Sequence, residues 1–279
     1  MDSGEIPIPI GGEVAVAEPK PVIARWRWWM HLCVLGIFPL IAGVSGFLGR
    51  NNDARTLLPK SVPGLLLVSV YELLTFFVLF GIAWLASRVS GKQLLLKWRG
   101  GARPFLLGFA YSVGLRVVIM VILFALMISF WLAFGFPAKE AGEGGLRPQI
   151  EHMVDAKALT ENPLYLVLVL TLLSFVVAGF REEFWRAAML AGIGALFPRL
   201  FESWRGRIMA VAMVAVLFGL GHTAQGPAGV ALTGFLGLGL GIVMLWHRSI
   251  WEAVIAHGFF DASTFVFVYL LVKYGPQNL

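Results

Sequence analysis

The amino-acid sequence predicts an all-α protein, a polytopic membrane helix bundle of about seven or eight transmembrane helices. Composition is the first observation behind this prediction: 58% of the 279 residues are hydrophobic and 14% are charged, whereas a soluble domain carries about 25% charged residues. The second observation is that long apolar runs recur along the chain, bounded by charged residues. Most of these runs reach the length of about 20 residues that a helix needs to cross a bilayer.

The apolar runs form two groups with a polar connection between them. An N-terminal transmembrane region is predicted at 28–135, with spans at 28–49, 63–87 and 104–135, the last of them tilted or broken near Gly114. A C-terminal membrane core is predicted at 163–274, with apolar helices at 163–180, 184–198, 207–223, 227–246 and 250–273. The chain begins acidic and rich in proline and glycine and lacks the basic start of a signal peptide. We therefore expect residues 1–27 to form a flexible tail.

Charge predicts the orientation of the spans. The segment 88–103, RVSGKQLLLKWRGGAR, has five basic residues and no acidic one, so we expect it, and with it the N-terminus, to face the cytoplasm. The acid-rich loop 137–161 should be extracytoplasmic. A continuous or re-entrant element across 163–198 then returns the basic cluster 199–207 to the cytoplasm, whereas a separate span at 184–198 would not. A compact chain of this kind suits a bacterial plasma (inner) membrane.

The net charge of +6 does not indicate a nucleic-acid partner. The basic residues lie in short segments between apolar runs, which is typical of helix orientation and contact with anionic membrane lipid. Lipid is therefore the partner that composition predicts.

A cluster of charges follows the apolar run at 163–178, in the stretch GFREEFWRAAML. Placing an ionisable group at the centre of a bilayer costs about 2.5–3.5 kcal/mol of insertion free energy. Their presence there therefore indicates a functional role. Successive helical residues turn by about 100°, which places Arg186 between Glu182 and Glu183, with Arg181 pointing away toward the interface. Arg186 can then bridge both carboxylates, leaving one glutamate charged and the other available as a general base.

Two further polar motifs lie in apolar helices downstream. One is FGLGH, Phe218 to His222, and the other is HGFFD, in which His257 and Asp261 share a helix face. Because three separate helices each carry a costly polar group, we expect the groups to converge on one cavity inside the membrane. Each histidine alone is also compatible with a hydrogen-bonded packing role.

Other polar residues in apolar helices have structural interpretations. Glu72 and Arg116 are interpreted as a structural tie between the second and third helices, with a cavity-lining role as the alternative. Arg248 and Glu252, four residues apart, are interpreted as a surface pair. Small residues at every fourth position predict close helix packing; they are Gly229, Thr233, Gly237 and Gly241.

The ordered motifs Glu-Glu…Arg, Phe-x-x-x-His and His-x-x-x-Asp resemble those of the CPBP intramembrane proteases. This family includes type II CAAX prenyl endopeptidases and bacteriocin-processing or Abi-type proteins. The resemblance covers roughly 163–270. It implies an intramembrane endopeptidase acting on a hydrophobic, prenylated or membrane-anchored peptide or protein.

The resemblance implies that a glutamate of the Glu182–Glu183 pair activates the attacking water and that Arg186 holds the pair. The family usually has three residues between the glutamates and the arginine, whereas this chain has two. Aligning on the arginine places Arg181 where the first family glutamate stands; aligning on the glutamates makes Glu182 the base. Which glutamate is catalytic is therefore left open at the level of sequence.

The resemblance also implies that His222 positions or polarises the water. His257 and Asp261 would stabilise the oxyanion or bind a metal. If the site binds a metal, the expected ligands are His222, His257 and Glu182, which would form a His₂Glu zinc set. Zn²⁺ is the cofactor expected in that case. An ionised aspartate cannot donate to an oxyanion, so Asp261 suits orientation of a histidine or ligation of a metal better.

Two other classes of function remain open from the sequence. A non-catalytic membrane scaffold or immunity protein could keep the same fold, and the altered glutamate spacing is compatible with it. A proton-coupled transporter could use the same acids and histidines, although the internal repeats typical of transporters are not evident.

Overall fold

A computed structural model describes residues 23–49, 58–135 and 153–275. Within these ranges the secondary structure is helical and contains no strand. Its α-helices are α1 Arg25–Gly49, α2 Val62–Ser87, α3 Arg103–Phe134, α4 Ala156–Glu161, α5 Pro163–Leu168, α6 Arg181–Leu196, α7 Trp204–Leu220, α8 Gly226–His247 and α9 Trp251–Tyr274. Most of the expected flexible tail, and most of the expected loop at 137–161, lie outside the described residues.

Six helical stretches in the described ranges are long and apolar enough to cross a membrane. They confirm the predicted all-α polytopic bundle. The number is smaller than the predicted seven or eight for two reasons. The runs 163–180 and 184–198 belong to one stretch, Pro163–Leu196. In addition, α7 has 17 residues and is about 25 Å long, less than the hydrocarbon thickness of about 30 Å.

The stretch Pro163–Leu196 is continuous because a π-helix, Val169–Phe180, joins α5 to α6. In a π-helix the backbone bonds to the fifth residue back instead of the fourth. At its end the amide of Arg181 donates to the carbonyl of Val176, five residues earlier. This finding agrees with the continuous alternative for 163–198. Likewise α3 continues through Gly114 without a break.

Helix ends follow local sequence signals. Ser61, Asn162 and Ser203 cap the N-termini of α2, α5 and α7, each accepting a bond from a backbone amide in the first turn. At the C-termini of α2 and α8 the chain turns through Arg88 and Arg248 in the left-handed region, with φ of 53° and 49°. These turns set where the next helix begins.

The core of the bundle surrounds α6, most of whose side chains are buried. Helix α9 packs along the π-helix and along α3, α7 packs against α8, and α1 packs against α2 and α6. The π-helix and α9 approach closely at Gly179, where a Cβ would lie 2.9 Å from the carbonyl oxygen of Val254. By contrast α2 and α3 direct many large apolar side chains outward, as helices facing lipid do.

Several helix ends are joined at one end of the bundle. The amide of Ile250, before α9, donates to the carbonyl of Leu95 in the basic segment 88–103, at 3.1 Å. The Arg25 side chain at the start of α1 donates to the carbonyl of Leu196 at the end of α6, at 3.3 Å. The Arg27 side chain, also at the start of α1, donates to the carbonyl of Leu85 near the end of α2, at 3.2 Å. The basic segment 88–103, which follows α2, therefore lies at the same end of the bundle as the start of α1 and the end of α6.

Candidate active site

The first turns of α6 direct four charged side chains into the bundle. Arg181 is 8% exposed, and Glu183 and Arg186 are fully buried. The side chain of Glu182 keeps 13% exposure. Burial of so many ionisable groups is stable only when each has a partner, so their contacts define the site.

Glu183 and Arg186 form a fully buried salt bridge between Oε1 and Nη1. The guanidinium of Arg186 also lies over the ring of Phe218, 4.5 Å from the ring centroid, a cation–π arrangement. A Cβ at Gly237 would lie 2.8 Å from Phe218 Cδ1 and 3.1 Å from Arg186 Nη2. The predicted small-residue stripe of α8 therefore makes room for the arginine as well as for the neighbouring helix.

His257 of α9 lies among three carboxylates. Its Nδ1 donates to Glu183 Oε1 at 2.9 Å, and because a carboxylate only accepts, this nitrogen carries a proton. Its Nε2 lies 3.8 Å from Glu182 Oε2 and 3.6 Å from Asp261 Oδ2. Glu183 thus fixes the ring orientation and directs Nε2 toward the other two acids.

Glu182 has a cationic partner other than the predicted one. Arg181 Nη2 donates to Glu182 Oε1 at 2.7 Å, while Arg181 Nη1 pairs with Glu72 of α2. The second carboxylate oxygen, Glu182 Oε2, faces His257. The two oxygens of Glu182 therefore have different surroundings, one held by a guanidinium and one toward the imidazole.

His222 follows the end of α7, where the helix gives way to the short 3₁₀ turn Thr223–Gln225. Its Nδ1 donates to the carbonyl of Phe218 at 2.8 Å, which leaves Nε2 as an acceptor in the neutral ring. The ring of Phe218 packs against both histidines, with centroids 4.7 Å from His222 and 6.2 Å from His257. His222 also lies near Glu182.

Asp261 lies one helical turn beyond His257, and its side chain is 26% exposed. The neighbouring cation is Arg116 of α3, which is close enough to Asp261 for their charges to interact. Arg116 Nη2 is held by the carbonyl of Phe260 and the hydroxyls of Ser263 and Thr264, at 2.6, 2.8 and 3.0 Å. Glu182 and Asp261 thus keep some exposure, whereas Glu183 keeps none.

The structure brings together all the residues predicted from the three motifs. The predicted contacts within the motif need one correction: Arg186 pairs with Glu183, whereas Glu182 pairs with Arg181. Arg181 does not point to the interface. The helical wheel placed it correctly on another face of α6, but that face is covered by α2, which supplies Glu72 as a partner.

Two structural interpretations from the sequence are wrong. Glu72 pairs with Arg181 and not with Arg116, which binds α9 instead. Glu252 is fully buried and is not a surface partner of Arg248. The four-residue spacing misleads there because Arg248 ends α8 in a left-handed turn and Glu252 belongs to α9.

The expected zinc set is not assembled in the structure. Within the described ranges no three His, Cys, Asp or Glu side chains are arranged to hold a metal ion. Glu182 gives Oε1 to a guanidinium, and His222 and His257 use Nδ1 in other bonds, so the remaining donor atoms of the expected ligands are Glu182 Oε2 and the two Nε2 atoms. Bonds of this kind at Nδ1 are compatible with ligation through Nε2, so Zn²⁺ stays a prediction, and the mechanism proposed below is written without it.

Comparison with protein families adds a second line of evidence. Residues 163–263 match the model of the family described as type II CAAX prenyl endopeptidase Rce1-like. The predicted resemblance is confirmed. The matched region runs from the start of α5 into α9 and contains all three motifs, so this part of the chain is similar to a family of membrane peptidases. No curated protein and no solved structure was found to match the chain.

The sequence singles out Glu72, with a cavity-lining role as one alternative, but does not predict its pairing with Arg181. Glu72 lies outside the matched region. Its neighbours along α2 are mostly apolar and form no recognisable motif. The available signal was an isolated acid inside a span, which requires a partner; the identity of that partner needed the fold.

Proposed function

We propose that the protein is an intramembrane endopeptidase in which Glu182 activates a water molecule for attack on a peptide bond. The observation that supports this proposal is the division of the Glu182 carboxylate. Arg181 holds Oε1, while Oε2 lies 3.8 Å from His257 Nε2, and the Glu182 side chain as a whole keeps 13% exposure. A carboxylate fixed at one oxygen and open at the other can accept a proton in a defined direction.

The chemical step needs no group beyond water and these side chains. Glu182 Oε2 takes a proton from the water as its oxygen bonds to the scissile carbonyl carbon, and the carbonyl oxygen becomes an oxyanion. When the C–N bond breaks, the proton held by Glu182 passes to the departing nitrogen. The products are a carboxylic acid and an amine, so one water is consumed for each bond cleaved.

His257 is proposed to stabilise the oxyanion. The cluster contains four carboxylates and three guanidiniums, so an imidazolium at His257 would make the charges equal. The acids are Glu72, Glu182, Glu183 and Asp261, and the guanidiniums are those of Arg116, Arg181 and Arg186. The Nε2–H of that imidazolium would donate to the oxyanion, and Asp261, 3.6 Å from the same nitrogen, would stabilise the positive charge of the ring. Preorganised donors in a water-poor site are worth about 2.7–4 kcal/mol each at the transition state.

His222 is proposed to position the water. Its Nδ1 is used by the Phe218 carbonyl, so Nε2 can accept the second hydrogen of a water that gives its first to Glu182. Glu183 and Arg186 would act indirectly, through His257. This buried pair would fix the orientation of the His257 ring through Glu183 Oε1.

The substrate proposed is a hydrophobic, prenylated or membrane-anchored peptide or protein. Two features support it: the match to a family described as prenyl endopeptidases and a site that lies among membrane-spanning helices. The clustering of basic segments at one end of the bundle supports an orientation with the N-terminus and segment 88–103 in the cytoplasm.

The test uses the full chain in lipid nanodiscs with prenylated and unmodified hydrophobic peptides, in water enriched in ¹⁸O. Wild type should release products carrying ¹⁸O in the new carboxylate, seen by mass spectrometry. Glu182→Gln and His257→Ala should lose this activity. Glu161→Gln is the matched control, since Glu161 lies in α4 with a side chain 66% exposed. Equal cleavage by Glu182→Gln and wild type would contradict the proposal; solute flux that depends on Glu182 would favour the transporter alternative.

A further inference from the structure

We propose that Arg181 and Glu72 are positioning residues for the Glu182 carboxylate. Helix α2, which lies outside the matched residues 163–263, would then take part in the reaction through its one acidic side chain. This inference rests on the proposed function of Glu182. It concerns how one oxygen of that carboxylate stays free to receive a proton.

The guanidinium of Arg181 is fixed at three points. Its Nε donates to the carbonyl of Val177 at 2.9 Å, its Nη2 to Glu182 at 2.7 Å, and its Nη1 to Glu72. The three acceptors belong to the π-helix, α6 and α2. A planar guanidinium held by three elements has a single orientation, which a flexible ammonium would not have.

The π-helix makes the first of these contacts available. The amide of Arg181 donates to Val176, five residues back, and also to Ala178. It therefore does not use the carbonyl of Val177, the partner that an α-helix would give it. That carbonyl accepts the side-chain Nε of Arg181 instead. The change of helical register thus directs the guanidinium toward α2.

Glu72 determines how Arg181 meets Glu182. An arginine and a carboxylate that are free to do so often pair through two parallel hydrogen bonds, which use both carboxylate oxygens. Here Glu72 occupies Nη1, so Arg181 gives Glu182 only Nη2. Oε2 of Glu182 consequently stays on the side of His257. Without Glu72, Arg181 could turn to cover both oxygens of the proposed base.

The test measures kcat and KM for peptide cleavage, together with the thermal midpoint, for four variants in nanodiscs. Glu72→Gln and Arg181→Gln should each lower kcat about 10- to 100-fold, the size expected when a reacting group is displaced by about 1 Å. KM should stay within about twofold, because neither residue is proposed to bind substrate. Arg181→Lys should retain more activity than Arg181→Gln, since it keeps one charge near Glu182.

The fourth variant is a double substitution that tests whether the two positions are coupled. The double variant Glu72→Gln/Arg181→Gln should lose less than the product of the two single losses, because both changes act on the same carboxylate. Tyr71→Phe is the control on α2: Tyr71 is adjacent to Glu72 and 64% exposed, and it should cleave like wild type.

The outcomes separate this inference from the proposed function. Wild-type kcat in Glu72→Gln and Arg181→Gln, with activity absent in Glu182→Gln, would overturn the inference and leave the proposed function in place. A loss that appears in KM and the thermal midpoint, with kcat unchanged, would assign the pair a purely structural role. Full activity in Glu182→Gln would overturn both.

Discussion

Replacement of each adjacent glutamate by glutamine should affect the protein in a different way, although the chemical change is the same. Glu183→Gln removes the negative partner of Arg186, whose side chain is fully buried with it. Breaking a buried pair in this way costs about 3–5 kcal/mol of unfolding free energy. In a protein of this size that corresponds to a fall of about 6–20 °C in the thermal midpoint.

Glu182→Gln should leave stability nearly unchanged. Its partner Arg181 keeps Glu72 and the Val177 carbonyl, so no buried charge is left alone, and we expect a cost near 1 kcal/mol. Cleavage, in contrast, should fall by about 10²–10⁴, the contribution of a general base. We therefore expect Glu183→Gln to lower mainly the thermal midpoint and Glu182→Gln to lower mainly the cleavage rate.

Thermal unfolding in nanodiscs and peptide cleavage, measured on the same preparations, test this pair of expectations. Glu183→Gln/Arg186→Met is the control, because an apolar side chain of similar length removes the uncompensated charge and should restore part of the midpoint. Equal midpoints for the two single variants would refute the reasoning from burial. Cleavage retained by Glu182→Gln but lost by Glu183→Gln at a temperature where both are folded would reverse the proposed roles.

Three further outcomes are expected. Gly237→Ala should lower unfolding free energy by about 1–3 kcal/mol and reduce cleavage, because the new methyl meets Phe218 Cδ1 at 2.8 Å; Gly81→Ala, where no atom lies within 4 Å, is the control. Cleavage should survive 1,10-phenanthroline and EDTA, and a loss restored by Zn²⁺ would revive the zinc alternative. The Ala158 amide, helped by Lys60, holds the pKa of Asp155 below its usual 3.8, so this residue stabilises the fold above about pH 4 and stops doing so as pH falls through its folded pKa. Unfolding measured against pH should show a larger acid loss of stability in wild type than in Asp155→Asn, which keeps the N-cap but cannot titrate.

The sequence was sufficient for the membrane class, the positions of most apolar helices and the three motifs because these depend on local signals. Apolar length predicts a span whatever lies beside it, and an isolated charge within a span indicates a site. His257 and Asp261 share a helix face, and the structure places them together. The resemblance to a peptidase family likewise follows from residues that stand in order along the chain.

The pairing of charges could not be predicted in the same way, because it depends on which helices are neighbours. The wheel for α6 gave the angles of Arg181 and Arg186 correctly but not what lies beside each angle. Helix α3 packs against α9 and α2 packs beside the π-helix, so Glu72 and Arg116 face different partners. Periodicity also assumes a constant number of residues per turn, and the π-helix before Arg181 departs from it.

The pairing of Glu72 with Arg181 has a consequence for biosynthesis. The two residues are 109 positions apart, and a ribosome adds about 5–20 residues per second, so α2 is made about 5–20 s before its partner exists. During that interval an ionised Glu72 in lipid would cost about 2.5–3.5 kcal/mol. Helix α2 would therefore carry this energetic cost until the fourth span, which contains Arg181, is inserted. A factor at the insertion machinery that shields the polar groups of incomplete chains would lower the cost during that interval.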